Sequence, residues 1–124
     1  MTYRAPVAEM LFTLEHAAGL GSARQDGLYA ELDGDTFAAI LEEAGAFASE
    51  KIAPLNPVGD RQGCRLVNGR VSTPAGWTET YREWAAAGWN STLAGETHGG
   101  QELPAAVWAL ARELWSQGSI AFGL

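Results

Sequence analysis

Apolar residues recur at three- and four-residue spacing in several stretches of this chain. Val7, Met10, Leu11, Leu14 and Ala18 share one helical face. Pro6 suits the first turn, where its missing N–H is no loss, and Gly19 to Ser22 closes the segment. Residues 23–34 are polar and mixed, with Leu28, Tyr29 and Leu32 as anchors for a short helical turn. The strongest stripe is Phe37, Ile40, Leu41, Ala44, Phe47, Ala48 and Ile52. Asp33, Gly34 and Asp35 offer N-caps for it, and Pro54 and Pro57 are expected to end it. Cys64 to Thr73 predicts a β-hairpin turning at Asn68-Gly69, since both residues accept the positive φ of a type I′ turn. Two strands alone are marginal, so the hairpin is expected to lean on helices. A third helix is predicted over Trp77–Ala87, with Tyr81, Trp84 and Ala85 inward and Gly88 as its stop. A fourth starts near Pro104, buries Val107, Leu110, Ala111, Leu114 and Trp115, and ends near Gly118.

These elements predict a mainly α fold with one small β-hairpin. The 124 residues suffice for one domain. Five tryptophans in so short a chain supply large packing surfaces, within the chain or against a neighbour. The net charge of −7 argues against nucleic acid and against an anionic membrane surface, and it gives CoA, itself an anion, no support within this segment. No stretch approaches the ~20 apolar residues of a membrane span. A lone Cys64 excludes an intrachain disulfide and suits a reducing compartment, so a cytoplasmic location is expected. The end, Ser119 to Leu124, is apolar and reads as cut short.

Chemistry-bearing residues are sparse. His16, His98 and Cys64 lack the paired spacing of a zinc site, so no metal is expected. No Gly-x-Ser-x-Gly surrounds any serine. Glu42 and Glu43 are adjacent and splay about 100° apart on a helix, which makes them a solvated face rather than an acid/base pair. The loop Gly95 to Gly100 lacks both phosphate-binding glycine motifs and carries an acid, so it reads as a turn between helices. Trp108 lies off the main stripe of its helix; with Ile120, Phe122 and Leu124 it either widens an apolar surface that a domain, a subunit or an apolar substrate would cover, or packs as one side of a helix buried all round.

Three ordered segments resemble acyl-CoA dehydrogenases. Tyr3-Arg4-Ala5-Pro6-Val7 through Met10-Leu11-Phe12 is similar to the N-terminal extension of a large-form subgroup. Phe47 to Asn56, followed by Gly59-Asp60-Arg61, resembles the end of the family's first long helix, and the Gly63-Cys64-Arg65 and Asn68-Gly69 hairpin fits that subgroup. Gly88 to Pro104 resembles the segment where the N-terminal helical domain turns back on itself. Two positions depart from the pattern: His98 stands where the family usually has Tyr, and Glu102 where Gly commonly follows Gln.

The resemblance implies the N-terminal helical domain of an FAD-dependent enzyme that desaturates an acyl-CoA thioester, with residues 1–34 as the extension and 35–124 as the domain. In the family a glutamate base removes an α-proton and FAD takes the β-hydride. The segments matching the flavin site and the base are absent here, so no catalytic residue is assigned and no cofactor is expected to bind this chain alone. Phe122, Gly123 and Leu124 lie where the family approaches the acyl pocket, and they are the candidate substrate-pocket residues. The implied partners are the remaining domains, or a separately encoded chain completing a split enzyme; a homo-oligomer is an open option. The alternative is a non-catalytic helical interaction module.

Overall fold

The computed structural model describes residues 2–30 and 32–124. Helix α1 spans Val7–Phe12 and widens into a π-turn over Thr13–Ala17. Helix α2 covers Leu20–Gln25, and α3 covers Gly34–Phe47 with a second π-turn, Ala48–Ile52, at its end. Helix α4 is Leu55–Gln62; strands β1 (Arg65–Val67) and β2 (Arg70–Ser72) follow. Helix α5 is Trp77–Ala86, α6 is Ala105–Gly118 and α7 is Ile120–Gly123. The chain is therefore mainly helical with one antiparallel hairpin, as its patterning predicts.

Helices α3 and α6 form the centre. Phe37 and Leu41 of α3 pack with Val107 of α6, while Ala44, Ala48 and Ile52 pack with Ala111, Leu114 and Trp115. N-terminal halves thus meet N-terminal halves, so the two helices run in the same direction. Alanines at the contact allow close approach, and Phe37, Leu41, Ile52, Val107 and Leu114 lose nearly all access to water. The polypeptide before α1 closes one side. Tyr3, Ala5 and Val7 pack against this core, and the Tyr3 hydroxyl donates to the Leu114 carbonyl at 3.2 Å. Burial, and secondarily the nearby Glu113 carboxylate, push the Tyr3 hydroxyl above its ordinary pKa. Ser49, in the α3 π-turn, donates to the Gly45 carbonyl (2.9 Å) and accepts the Ala5 amide (3.2 Å), which ties the N-terminal segment to α3.

Three expectations need correction. Pro57 does not end a helix. It lies in the first turn of α4, where amides have no intrahelical partner and a missing N–H costs nothing. Tyr81 does not face inward: it is 56% exposed, and Thr80 is the buried residue of α5. The hairpin does not lean on the helices. All six strand residues are exposed, including Leu66 (73%), Val67 (57%) and Val71 (68%). Its turn takes φ +50° at Asn68 and +73° at Gly69, and the register pairs Leu66 with Val71. What holds it is the base. The Ala75 amide donates to Gln62 Oε1 at 2.9 Å, and the Thr73 and Thr78 hydroxyls lie 3.0 Å apart.

The loop from Gly88 to Pro104 folds on its own backbone. The Glu102 amide donates to the Ala94 carbonyl (3.0 Å) and Leu103 to Thr92 (2.8 Å). The Gln101 side-chain amide donates back to the Gly88 carbonyl at 3.0 Å. A side chain at Gly100 would place its Cβ 1.9 Å from the Ala94 carbonyl oxygen, so only glycine fits. Glu102 takes φ +51°, the left-handed region, at the position where glycine is common in the resembling family.

Candidate functional site

Helices α5, α6 and α7 enclose an aromatic cleft of about 270 Å³. Helical spacing supplies its walls. Tyr81 and Trp84 lie three apart on α5, and Trp108, Arg112 and Trp115 follow at four and three on α6, so each set faces one way. Ser119 is extended (φ −158°, ψ 111°) and breaks α6 from α7; its buried hydroxyl donates to Asn56 Oδ1 at 3.2 Å. That break turns α7 so that Phe122, Gly123 and Leu124 complete the cleft. The three candidate substrate-pocket residues therefore share one wall, with Phe122 half-buried and Leu124 89% exposed. Ile120 points elsewhere and is exposed.

The rings form a continuous array. Trp84 meets Trp115 edge to face at 5.3 Å, Trp115 meets Trp89 at 5.3 Å, and Trp84 meets Phe122 at 6.5 Å. The indole N–H groups of Trp84 and Trp115 are buried and have no hydrogen-bond partner among the described residues. Edge-to-face packing sets the positive edge of one ring against the negative face of the next, which offsets part of that loss. Among the described residues Arg112 is the one charged residue lining the cleft, and its guanidinium lies over the Trp108 ring at 5.2 Å. Sequence reasoning picked out Trp108 and the last three residues; it missed Tyr81, Asn90 and Arg112 as lining groups. The shared-face spacing of 81/84 and 108/112/115 was the signal available.

The other candidates lie apart. His16 stacks on Phe12 at a 4.7 Å centroid distance beside α1, His98 is exposed in the Gly88–Pro104 loop, and Cys64 is exposed at the foot of the hairpin. Among the described residues no three His, Cys, Asp or Glu side chains converge as metal ligands. Glu42 and Glu43 stand in solvent on α3. No helix among the described residues is long and apolar enough to cross a membrane.

What this cleft can do is grip an apolar group between aromatic faces. It does not fit a flavin dinucleotide by itself. Pockets that enclose even drug-sized ligands run to roughly 300–1,000 Å³, and among the described residues one guanidinium is the only cation at the cleft.

The parallel α3–α6 pair, the basal hairpin and the α7 cleft wall belong to a sequence that matches the N-terminal part of an acyl-CoA dehydrogenase. The relative is 3-methylmercaptopropionyl-CoA dehydrogenase of Ruegeria pomeroyi, to which the chain is 40% identical over all 124 residues. The chain spans 21% of that relative's length. No protein-family model matches the chain.

Proposed function

We propose that this chain serves as the N-terminal helical part of an FAD-dependent acyl-CoA dehydrogenase, where it supplies scaffold and one wall of the acyl pocket. The observation that carries the assignment is the convergence of Phe122, Gly123 and Leu124 with Trp84, Trp108 and Trp115 on one aromatic cleft. Aromatic faces suit a short acyl group, and a thioether such as the one named in the relative gains further from sulfur–ring contact, worth ~0.3–1.5 kcal/mol. Flavin and base belong to the remainder of such an enzyme. These 124 residues alone are expected to oxidise no acyl-CoA.

A domain exchange tests this. Residues 1–124 replace the matching segment of the Ruegeria pomeroyi relative, and acyl-CoA oxidation is assayed with an artificial electron acceptor. A folded, flavin-loaded chimera that turns over supports the assignment. Phe122→Ala in that chimera is expected to raise KM about tenfold, the cost of roughly 1.4 kcal/mol of lost apolar contact. A folded, flavin-loaded chimera with no turnover would overturn the assignment in favour of a binding module.

A further inference from the structure

The cleft between α5, α6 and α7 has a lining that an apolar group alone does not explain. Tyr81, Trp84, Trp108, Trp115 and Phe122 supply aromatic rings, and the Arg112 guanidinium supplies the one charge among the described residues. The indole nitrogens of Trp84 and Trp115 are buried, so these two residues offer the cleft ring carbon and π surface and no hydrogen-bond donor. An aromatic face is the negative end of the ring quadrupole, and the group that gains from several such faces at once is a cation. The molecule shows this preference itself. Four residues along α6 from Trp108, the Arg112 guanidinium lies over the indole at 5.2 Å. Among the described residues it enters neither ion pair, Arg24–Glu15 nor Lys51–Glu83.

Rings and guanidinium together select a ligand. A simple anion would meet the negative ring faces and a chain of net charge −7. A simple cation would meet Arg112. An uncharged apolar group would fill the space and leave the guanidinium to water. A zwitterion with a methylated ammonium and a carboxylate answers both features, and its zero net charge is indifferent to the acidic body. A guanidinium stacked on a ring keeps its N–H groups at the edge of the stack, where they can pair with a carboxylate in bidentate geometry. A quaternary nitrogen has no N–H to satisfy, so a wall of rings without acceptors costs it no hydrogen bond. The cleft, about 270 Å³, is small and suits a compact molecule.

We propose that the cleft binds a small betaine, its quaternary ammonium against the rings of Tyr81, Trp84 and Phe122 and its carboxylate paired with Arg112 beside Trp108. This inference uses the same cleft as the acyl-pocket assignment but does not rest on it. A betaine and an acyl group would exclude one another there.

Titration of the 124-residue chain tests it, read by the fluorescence of the cleft tryptophans. The probes are glycine betaine, 3,3-dimethylbutanoate, which has the same shape and carboxylate with carbon in place of the charged nitrogen, and tetramethylammonium, which lacks the carboxylate. Glycine betaine is expected to give a saturating change, and the carbon isostere to bind about tenfold more weakly or worse, the share of a desolvated cation–ring contact. Sucrose, which acts by exclusion from the surface, is expected to give no saturation. Arg112→Gln is expected to weaken glycine betaine about tenfold and leave tetramethylammonium no weaker, as loss of the carboxylate's partner requires. Tyr81→Leu is expected to weaken both. The two positions are exposed, and circular dichroism checks that each variant keeps its fold. No saturation with glycine betaine would overturn the proposal, as would a response unmoved by either substitution. Equal binding of the carbon isostere would also overturn it, while leaving the cleft as the apolar pocket of the acyl assignment.

Discussion

At the scale of single residues, the Gly88–Pro104 loop shows what a glycine-rich sequence encodes. The sequence alone reads Gly95 to Gly100 as a turn, and the structure gives the reason at Gly100: the Ala94 carbonyl occupies the space a side chain would need. Gly100→Ala is expected to cost roughly 1–3 kcal/mol through forced backbone shifts. Two residues on, Glu102 holds a left-handed conformation that strains any side chain. Glu102→Gly is expected to relieve that strain and stabilise the fold by about 1 kcal/mol, in part offset by the freer unfolded glycine. Urea unfolding of both variants checks the pair. Opposite signs are the expected outcome, and a destabilised Glu102→Gly would show that its side chain contributes more than its backbone costs. The His98 departure has no such account, since its side chain is exposed and makes no hydrogen bond among the described residues.

At the scale of elements, periodicity located the helices, while tertiary geometry decided where some of them end. Helix α3 was legible from Asp33 onward, because a carboxylate before a 3.6-residue stripe is an N-cap signal. Asp33 Oδ1 accepts the Thr36 amide at 2.7 Å, and that bond holds the Asp33 carboxyl below its ordinary pKa. A depressed folded pKa means the cap's stabilisation is complete above the unfolded value and is lost as pH falls through the folded one. Acid titration of stability is therefore expected to show a loss that begins as pH falls into the ordinary aspartate range and is complete only below the depressed folded value. Asp33→Asn, which keeps an acceptor but cannot titrate, is expected to flatten that segment of the curve; an unchanged slope would place the acid sensitivity elsewhere. Helix α4 was not legible. Pro54 and Pro57 read as breakers, and only their places, Pro54 at the N-cap and Pro57 in the first turn, make them compatible with the helix. The cleft was half legible for a related reason. Spacing reveals which residues share a helix face, but not that Ser119 would swing α7 round to meet Trp84 and Trp108.

At the scale of the whole molecule, the segment before α2 is part of the packing. Met10 is 8% exposed and Tyr3, Ala5 and Val7 close over the α3–α6 pair. Full burial of a side chain such as Met10 is worth roughly 1.5–3 kcal/mol, so deletion of residues 1–18 is expected to remove a large share of a marginal total. The measurement is dye binding with near- and far-ultraviolet dichroism. Retained helix with lost tertiary signal is expected, and an undisturbed, dye-silent product would mean the segment only decorates a self-sufficient core. The sequence could not show this, because the stripe in α1 reads as a helical face without saying which helix it meets. One further consequence belongs to the three indoles Trp84, Trp89 and Trp115. At 5.3 Å and steep angles their electronic transitions are close enough to couple, so the folded chain is expected to show an exciton signature in its dichroism. Because Trp84 and Trp115 also line the cleft, anything entering it perturbs that shared state, and the molecule reports its own occupancy without an added label.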